Sequence, residues 1–312
     1  MAEKIATRAA YGKALEELAA QEPNLVVLDA DLSGSTMTKG FGAEHPDRFF
    51  DMGIAEANMV GVAAGLATCG KKPFVNSFAM FAAGRAWEQV RNSVAYPGLN
   101  VKVVGSHGGL SVGEDGATHQ CIEDFSLMRT IPGMTVMCPA DDVEAAAMVR
   151  AAYAHVGPVY MRFARLATPV FHDPDHYTFQ IGKGEVLREG KDVAIIATGL
   201  MVYEALEAAK ALEAAGISAR VINMATIKPL DEALVLQAAK ECGKIVTAEE
   251  HNIIGGLGEA VCACVAEHCP VPVKRIGVQD TFGHSGPAVD LLKQFGLCAD
   301  NIASVTRTFV GK

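Results

Sequence analysis

The residues best suited to chemistry lie in one loop, HGGLSVGEDGATHQ, which runs from His107 to Gln120. The loop holds two imidazoles, two carboxylates and four glycines, and it follows an apolar run from Val101 to Val104. Such a run predicts a buried strand, and open α/β folds bind ligands in loops at the carboxyl ends of strands. Glycines alone explain turns, but imidazoles and carboxylates beside them predict a site for a small polar ligand.

A second stretch, DMGIAEANMVGVAAGLATCG, places Glu56 just before a helix rich in glycine and alanine. Small side chains let another backbone approach closely, as in a buried helix or a subunit interface. Burial would disfavour the ionised form of the Glu56 carboxyl and a helix N-terminus would favour it, so a proton-sharing partner would resolve the conflict. From spacing alone, the simpler alternative is a surface glutamate that complements the helix dipole.

Composition narrows the class of protein. The chain has 312 residues, of which 50% are hydrophobic, and this is enough for two cores and two domains. The net charge of -9 argues against a nucleic-acid partner, although it permits a local basic pocket for a phosphate. The apolar runs are too short to span a bilayer, and the first twenty residues predict an amphipathic helix rather than a signal peptide. We therefore expect no membrane partner and a cytoplasmic protein.

Eight cysteines are scattered through the chain, which is typical of reduced, packed thiols rather than a disulfide framework. The densest group is Cys262, Cys264 and Cys269, with His268 beside it. The segment GEAVCACVAEHC predicts one helix, whereas zinc ligands usually lie on a knuckle-like turn. We expect buried thiols here and no metal site in this chain.

Strands and helices alternate through most of the sequence, which predicts an α/β fold with mostly parallel sheets. The predicted strands are Leu25–Asp29, Pro73–Asn76, Val101–Val104, Thr135–Met137, Val159–Arg162, Val193–Ala197, Ser218–Asn223, Lys244–Ala248 and Val273–Ile276. The predicted helices are Glu56–Thr68, Ala82–Tyr96, Cys121–Arg129, Asp142–His155, Val202–Ala214, Glu232–Cys242 and Gly256–Cys269.

The alternation lapses in TPVFHDPDHYTFQIGKG, which has two prolines, three aromatics and no helical period. This lapse predicts an inter-domain linker. We expect two doubly wound domains, the first over 1–170 and a smaller one over 187–312, joined by a linker over 171–186.

Taken together, the motifs resemble those of the transketolase family. GIAEANMVGVAAGLA is similar to the family's catalytic-glutamate motif, and NSFAMFAAGRAWEQVRNSVAYPGLNV is similar to its cofactor-stacking segment. SHGGLSVGEDGATHQCIEDFSLMR resembles its substrate loop, and the three motifs have the family's order and spacing. The resemblance runs from about Arg8 to the end of the chain. It implies a pyrimidine-binding domain that binds thiamine diphosphate, followed by a transketolase C-terminal domain.

The resemblance also implies a partner. A complete transketolase begins with a diphosphate-binding domain, which carries a GDG motif and an asparagine that ligates magnesium, and no such motif is found here. The implied protein is the C-terminal subunit of a split transketolase. Its partner would be an N-terminal subunit that holds the diphosphate and Mg²⁺, in an assembly with two copies of each chain. The implied reaction transfers a two-carbon ketol unit from a ketose phosphate to an aldose phosphate through an enamine of thiamine diphosphate.

The resemblance assigns cofactor roles to five positions. Glu56 would hydrogen-bond the aminopyrimidine ring nitrogen, Phe81 would stack on the ring and Phe78 would line the same pocket. Asp31 and Leu32 would lie near the cofactor in secondary roles. Without the motif, ordinary core packing would explain both phenylalanines. The family often has a third aromatic where this chain has Gly84.

Substrate roles are implied for six further residues. His107 and His119 would bind sugar hydroxyls and stabilise charge on the substrate oxygen, and Asp115 would recognise a hydroxyl. Glu114 would belong to a glutamate network between paired active sites. The alternatives are loop histidines that satisfy backbone groups and a turn aspartate that caps its own backbone.

The terminal phosphate would be bound by Arg8, Ser35 and Arg165, because arginine meets phosphate oxygens bidentately. Otherwise the two arginines would be surface charges.

Four alternatives remain open. Two are relatives, half of a deoxyxylulose-phosphate synthase and a β-type subunit of a 2-oxoacid dehydrogenase, and the GEDGATHQ segment with His107 favours transketolase over the first. The others are a non-catalytic regulatory or binding subunit and a dinucleotide-binding protein. The segment IIGGLGEA suggests the last, but it lacks the G-x-G-x-x-G spacing and better predicts a strand-to-helix turn. We assign no chemistry to Glu249, Glu250 and His251, for which a structural role is expected.

Overall fold

The computed structural model describes residues 3–311. The strands are β1 (Lys4–Ala6), β2 (Leu25–Asp29), β3 (Phe49–Asp51), β4 (Lys72–Phe78), β5 (Lys102–Ser106), β6 (Thr135–Met137), β7 (Val159–Phe163), β8 (Ala167–Pro169), β9 (Glu185–Arg188), β10 (Val193–Ala197), β11 (Ala219–Asn223), β12 (Thr226–Lys228), β13 (Ile245–Asn252) and β14 (Val273–Val278).

The α-helices are α1 (Thr7–Ala19), α2 (Ser33–Thr36), α3 (Lys39–Glu44), α4 (Glu56–Thr68), α5 (Trp87–Gln89), α6 (Asp124–Arg129), α7 (Asp142–Ala154), α8 (Met201–Ala214), α9 (Glu232–Cys242), α10 (Leu257–His268), α11 (Ala288–Gln294) and α12 (Ala299–Val310). Two π-helices, Met80–Arg85 and Val90–Ala95, flank α5, and a 3₁₀ helix covers Leu110–Asp115. No helix within residues 3–311 is long and apolar enough to cross a membrane.

Two large sheets confirm the predicted α/β class. The first has seven strands in the order β12-β6-β7-β5-β4-β2-β3, and all of its pairs are parallel except β12 with β6. The second has five strands in the order β14-β13-β10-β11-β9, with only β9 antiparallel. The central strands β2, β7, β10 and β11 are buried at every position, as strands covered on both faces should be.

The second half contributes to the first sheet. Strand β12 lies between β11 and α9 in sequence but pairs with β6 of the seven-stranded sheet. One hydrophobic cluster also contains residues from both halves, among them Val103, Phe125, Ile196 and Leu257. Strand β9 begins inside the segment predicted as a linker. The boundaries 1–170, 171–186 and 187–312 remain a proposal, and Met1, Ala2 and Lys312 lie outside the described residues.

Three predicted elements differ from the structure. The N-terminal helix begins only at Thr7, because Lys4–Ala6 pairs with Ala167–Pro169 as an antiparallel ribbon. The helix predicted to start at Cys121 starts at Asp124, and Cys121 forms a bridge to Gly108 instead. The helix predicted over 82–96 is mostly π-helical. In the first two cases, long-range pairing overrides the local helical pattern.

The segment between the two sheets is held by a buried histidine. His172 lies between two carboxylates, with Nδ1 at 2.9 Å from Asp141 and Nε2 at 3.0 Å from Glu185. Burial opposes protonation of the ring, but the hydrogen bonds to Asp141 and Glu185 prevail and raise the pKa of His172 to about 10. Asp141 also caps α7 by accepting from the Glu144 amide. The protonated imidazole therefore joins α7 to the start of β9.

This contact predicts a pH-dependent stability. The folded pKa of about 10 lies above the usual 6.5, so the stabilisation is full below pH 6.5 and disappears as pH rises to 10. We expect His172→Gln to cost on the order of 3 kcal/mol of unfolding free energy at pH 6 and much less at pH 10. Urea unfolding of both proteins across this range measures the difference. A difference that stays constant with pH would contradict the assignment.

Candidate active site

The predicted site residues meet at the carboxyl ends of two neighbouring strands. Strands β4 and β5 pair in parallel with Phe78 opposite Ser106, so the chain leaves both strands at the same edge of the sheet. His107 follows β5 directly, with a φ of 57° and its amide bonded to the carbonyl of Phe163. The Phe78 and His107 rings stack with centroids 4.0 Å apart.

Two further predicted residues complete this ring cluster. Phe81 lies near the start of the first π-helix, and its ring is stacked at 6.0 Å from that of Phe78. His119 meets Phe81 edge-on at 5.3 Å and Phe78 at 6.1 Å. Residues 41 positions apart in sequence therefore form one wall of aromatic and imidazole rings.

Glu56 lies buried at the first position of α4, with 2% of its surface exposed. The surface alternative for this glutamate is therefore wrong. Both of its carboxylate oxygens accept from Nη1 of Arg85, at 2.9 and 3.0 Å. A buried carboxylate needs such a partner, because an unpaired charge away from water is costly.

Arg85 is a site residue that the sequence reasoning missed. It ends the first π-helix, about half of its side chain is exposed, and its guanidinium lies 4.2 Å from the centre of the Phe81 ring. The arginine thus links the Glu56 carboxylate to the ring cluster. Its only sequence signal was a lone charge within the small-residue run AAGRA.

His107 is held in its neutral form. Burial, followed by the charges of Arg8 and Arg165, lowers its pKa to about 3. Nε2 lies 3.3 Å from Nη1 of Arg8, and Nδ1 lies 2.9 Å from Oγ of Ser106. Because a guanidinium can only donate, Nε2 must accept and the ring proton must be on Nδ1. The hydroxyl of Ser106 then accepts from Nδ1.

The residues predicted to bind phosphate are close to one another. Arg8 donates from Nη1 to the carbonyl of Ser35 at 2.7 Å, and Arg165 donates to the carbonyl of Val112 at 2.7 Å. Burial and then the charge of Arg165 lower the pKa of Arg8, which indicates mutual repulsion of the two guanidiniums. Two neighbouring cations beside a neutral imidazole form a suitable subsite for an anion.

The two loop carboxylates lie on the outer side of this subsite. Asp115 and Glu114 form ion pairs with Nη1 of Arg165, at 3.6 and 3.7 Å. Both are exposed, and neither joins the ring cluster. Arg165 therefore pairs with the loop acids while its charge acts on Arg8, and its partly exposed side chain can contact a ligand that enters from solvent.

Comparisons with known proteins identify the family. The chain matches the transketolase pyrimidine-binding domain over residues 3–170 and the transketolase C-terminal domain over 182–302. The chain belongs to the transketolase family. It is 51% identical to a putative transketolase C-terminal section of Methanocaldococcus jannaschii, over 95% of this chain and 93% of that protein. It is 49% identical to a 6-deoxy-6-sulfo-D-fructose transketolase subunit of Clostridium sp. (strain MSTE9), over 95% and 91%.

A solved structure described as a split gene transketolase, inactive beta4 tetramer, is 52% identical and has a TM-score of 0.91 over 97% of this chain and 98% of that one. The resemblance drawn from the motifs is confirmed. The chain is a C-terminal transketolase subunit of the split type, and the activity of its family is ketol transfer.

The loop that follows β2 in this transketolase subunit, which carries Asp31 and Leu32, is organised by a residue that was not predicted. Asp29, at the end of β2, accepts from the Leu32 amide at 2.7 Å and from the hydroxyls of Thr36 and Thr38 at 2.6 and 2.9 Å. Burial raises the pKa of Asp29 to about 6. The predicted Asp31 is exposed and bonds through its amide to Asp51. The segment LDADLSGST carried the signal, an aspartate at a strand end followed by hydroxyl residues.

The residues present fit the aminopyrimidine half of thiamine diphosphate. They supply one buried carboxyl, two ring faces and a neutral imidazole in one cluster. Within residues 3–311 no group of three or more His, Cys, Asp or Glu side chains could hold a metal ion. The glycine turn before α10 does not fit a dinucleotide, because the Glu249 carboxylate already accepts from the Leu257 and Gly258 amides at 2.7 and 2.8 Å.

The His107 geometry predicts an observable tautomer. We expect ¹⁵N spectra to show His107 neutral with the proton on Nδ1 from pH 5 to pH 8, because its pKa is about 3. In Arg8→Met, Nε2 loses its donor and its ¹⁵N shift should move towards that of a free acceptor nitrogen. A ring that titrates between pH 5 and pH 8, or that carries its proton on Nε2, would contradict the geometry.

Proposed function

We propose that this chain forms the pyrimidine-binding and sugar-binding half of a split transketolase site. The observation that carries the proposal is a single connected group. The buried Glu56 carboxylate is joined through Arg85 to the Phe81 ring, and this ring contacts His119 of the substrate loop. Residues predicted to bind cofactor and substrate, from three separate motifs, thus lie side by side, which supports the proposal.

Glu56 would hold the aminopyrimidine ring nitrogen, and Phe78 and Phe81 would contact the ring face. Thiamine diphosphate, when bound, supplies the carbon nucleophile that attacks a ketose carbonyl. The role of Glu56 is to provide a carboxyl group that is shielded from water and can exchange a proton with the aminopyrimidine ring. Arg85 donates to both oxygens of that carboxylate, so it must move away or share them when the aminopyrimidine binds. About half of its side chain is exposed, which leaves room for this movement. Asp31 and Leu32 would border the cofactor.

His107, His119 and Asp115 would bind the hydroxyls and the carbonyl oxygen of the sugar. A neutral imidazole suits this task, because it can donate from one nitrogen and accept at the other. Arg8, Ser35 and Arg165 would bind the terminal phosphate. A phosphate that attracts Arg8 would also draw it away from Nε2 of His107, so the nitrogen would become available to a sugar hydroxyl.

The proposed donors are ketose phosphates such as xylulose 5-phosphate, and the proposed acceptors are ribose 5-phosphate and erythrose 4-phosphate. These substrates would place the enzyme in the pentose phosphate pathway of the cytoplasm. The similarity to a sulfofructose transketolase subunit supports an anionic group at the end of the donor sugar. Two arginines beside His107 would suit such a group.

The partner would be an N-terminal transketolase subunit that holds Mg²⁺ and the diphosphate, in an assembly with two copies of each chain. The outward face of α4 supports a close contact with another chain. Gly61 and Gly65 are exposed there, and no other residue within 3–311 packs over them. Ile54 before the helix is 75% exposed, and Val62 is also exposed. Glu56 lies on the same helix, so the contact would form beside the cofactor.

Glu56 provides the first test of this function. We expect Glu56→Gln, reconstituted with the N-terminal subunit, Mg²⁺ and thiamine diphosphate, to lose ketol transfer by about 10²- to 10⁴-fold, because an amide cannot exchange the proton. Glu44→Gln, at an exposed glutamate, is the matched control and should keep full turnover. Near-normal turnover of Glu56→Gln would overturn the assigned role.

The phosphate subsite provides the second test. We expect Arg8→Met and Arg165→Met to raise KM for a ketose phosphate by about 10- to 100-fold, the effect of losing one charge-assisted hydrogen bond. KM for the unphosphorylated ketose should not rise, and both constants should stay unchanged in Arg91→Met, where the arginine is exposed. Equal effects on phosphorylated and unphosphorylated sugars would show that these arginines do not bind phosphate.

A further inference from the structure

Two adjacent glutamates of β13 point in opposite directions, as successive residues of a strand do. Glu249 turns towards α10 and caps its first amides. Glu250 turns towards the first half of the chain, where Oε1 accepts from the Ser111 amide at 2.5 Å. Glu249 therefore stabilises a helix of its own domain, and Glu250 contacts the substrate loop.

The Ser111 amide lies in the middle of that loop, within the 3₁₀ helix between His107 and His119. Glu250 is 139 positions away in sequence and only 6% exposed. A hydrogen bond from an amide to an ionised carboxylate is among the stronger hydrogen bonds of proteins, and burial shields it from water. The contact therefore fixes the loop backbone from outside the domain that contains the loop.

Arg162 holds Glu250 in place. Its Nη2 donates to the Glu250 carbonyl at 2.9 Å and lies 3.7 Å from the Glu250 carboxylate. Its Nη1 lies 3.3 Å from Asp124, the first residue of α6 and close behind the end of the loop. The guanidinium is buried and has no other carboxylate partner among the ion pairs of residues 3–311.

The start of the loop lies directly on this guanidinium. A Cβ added to Gly108 or Gly109 would overlap Arg162, and at Gly109 it would also overlap the Glu250 carboxyl. Gly109 has a φ of 80°, which also favours glycine. The two glycines thus let the loop rest on Arg162, and Glu250 then fixes its next turn.

We propose that Glu250 is a positioning residue of the transketolase site, which sets the backbone between His107 and His119 through the Ser111 amide. This inference rests on the proposed sugar-binding role of that loop. It gives the C-terminal half a part in substrate recognition, beyond its part in the fold. A loop released from Glu250 would carry the same side chains in a poorly defined arrangement.

Substitutions can distinguish the effect of the length of the Glu250 side chain from the effect of its charge. Glu250→Asp keeps the charge beside Arg162 but is one methylene too short for Ser111, whereas Glu250→Gln keeps an acceptor oxygen within reach. Glu249→Asp is the matched control, since it shortens a buried glutamate that caps α10. All three avoid the cavity that alanine would leave.

Hydrogen exchange of the full chain tests the contact without any activity. We expect the Ser111 amide and its loop neighbours to exchange at least tenfold faster in Glu250→Asp, and at nearly the native rate in Glu250→Gln. In Glu249→Asp the faster amides should be Leu257 and Gly258 alone. Native loop protection in Glu250→Asp, or equal loosening of the loop in Glu249→Asp, would overturn the inference.

Kinetics of the reconstituted enzyme test whether the contact between Glu250 and the Ser111 amide affects substrate binding. We expect KM for the ketose phosphate to rise at least tenfold in Glu250→Asp, with a smaller fall in kcat and recovery in Glu250→Gln. A general loss of active protein lowers apparent kcat and leaves KM unchanged, and that result in Glu250→Asp would refute positioning. Glu249→Asp should keep the native KM, because the loosening expected there is confined to the start of α10. If the native pair shows no ketol transfer, the proposed function fails, and hydrogen exchange still decides whether Glu250 fixes the loop.

Discussion

The buried guanidinium of Arg162 is the interaction on which the arrangement of the site depends. It lies on β7 in the first sheet, contacts Asp124 after the substrate loop and meets Glu250 of the second sheet. A buried charge without partners would be costly, so the three residues can be satisfied only when the loop and both sheets are in place together. The site therefore forms as part of the packing between the two halves.

Burial then determines the chemistry of the site residues. The same desolvation that lowers the pKa of His107 to about 3 raises that of Asp29 to about 6, because it disfavours whichever form is charged. Arg8 adds to the first effect, since its charge opposes a second one on the ring. A neutral imidazole beside two arginines is thus a consequence of the packing. It suits a ligand that has hydroxyls at one end and negative charge at the other.

Local sequence patterns predicted much of this structure, because they reflect local physics. Strands such as Leu25–Asp29 and Val193–Ala197 are apolar at every position but Asp29 and agree with β2 and β10. The ring cluster was predictable from motif resemblance. Asp29 had a local signal in the hydroxyl residues that follow it. The partners of Arg85 and Glu250 were not predictable, because the tertiary fold brings them from 29 and 139 positions away in the sequence. The same reason explains β12, whose partner strand lies almost ninety residues earlier in the chain.

The helix α4 shows why a split site and a subunit contact belong together. Its inward face carries Glu56 and the buried Met59 and Val60, whereas its outward face carries Gly61 and Gly65, over which no residue of the described chain packs. A helix that is packed on one side only can shift, and a shift of α4 would move the carboxylate relative to Phe81. A subunit that packs on the face with Gly61 and Gly65 would oppose that shift. On this argument the proposed partner would do more than complete the cofactor site, because its contact would also keep Glu56 at a fixed position relative to the rings.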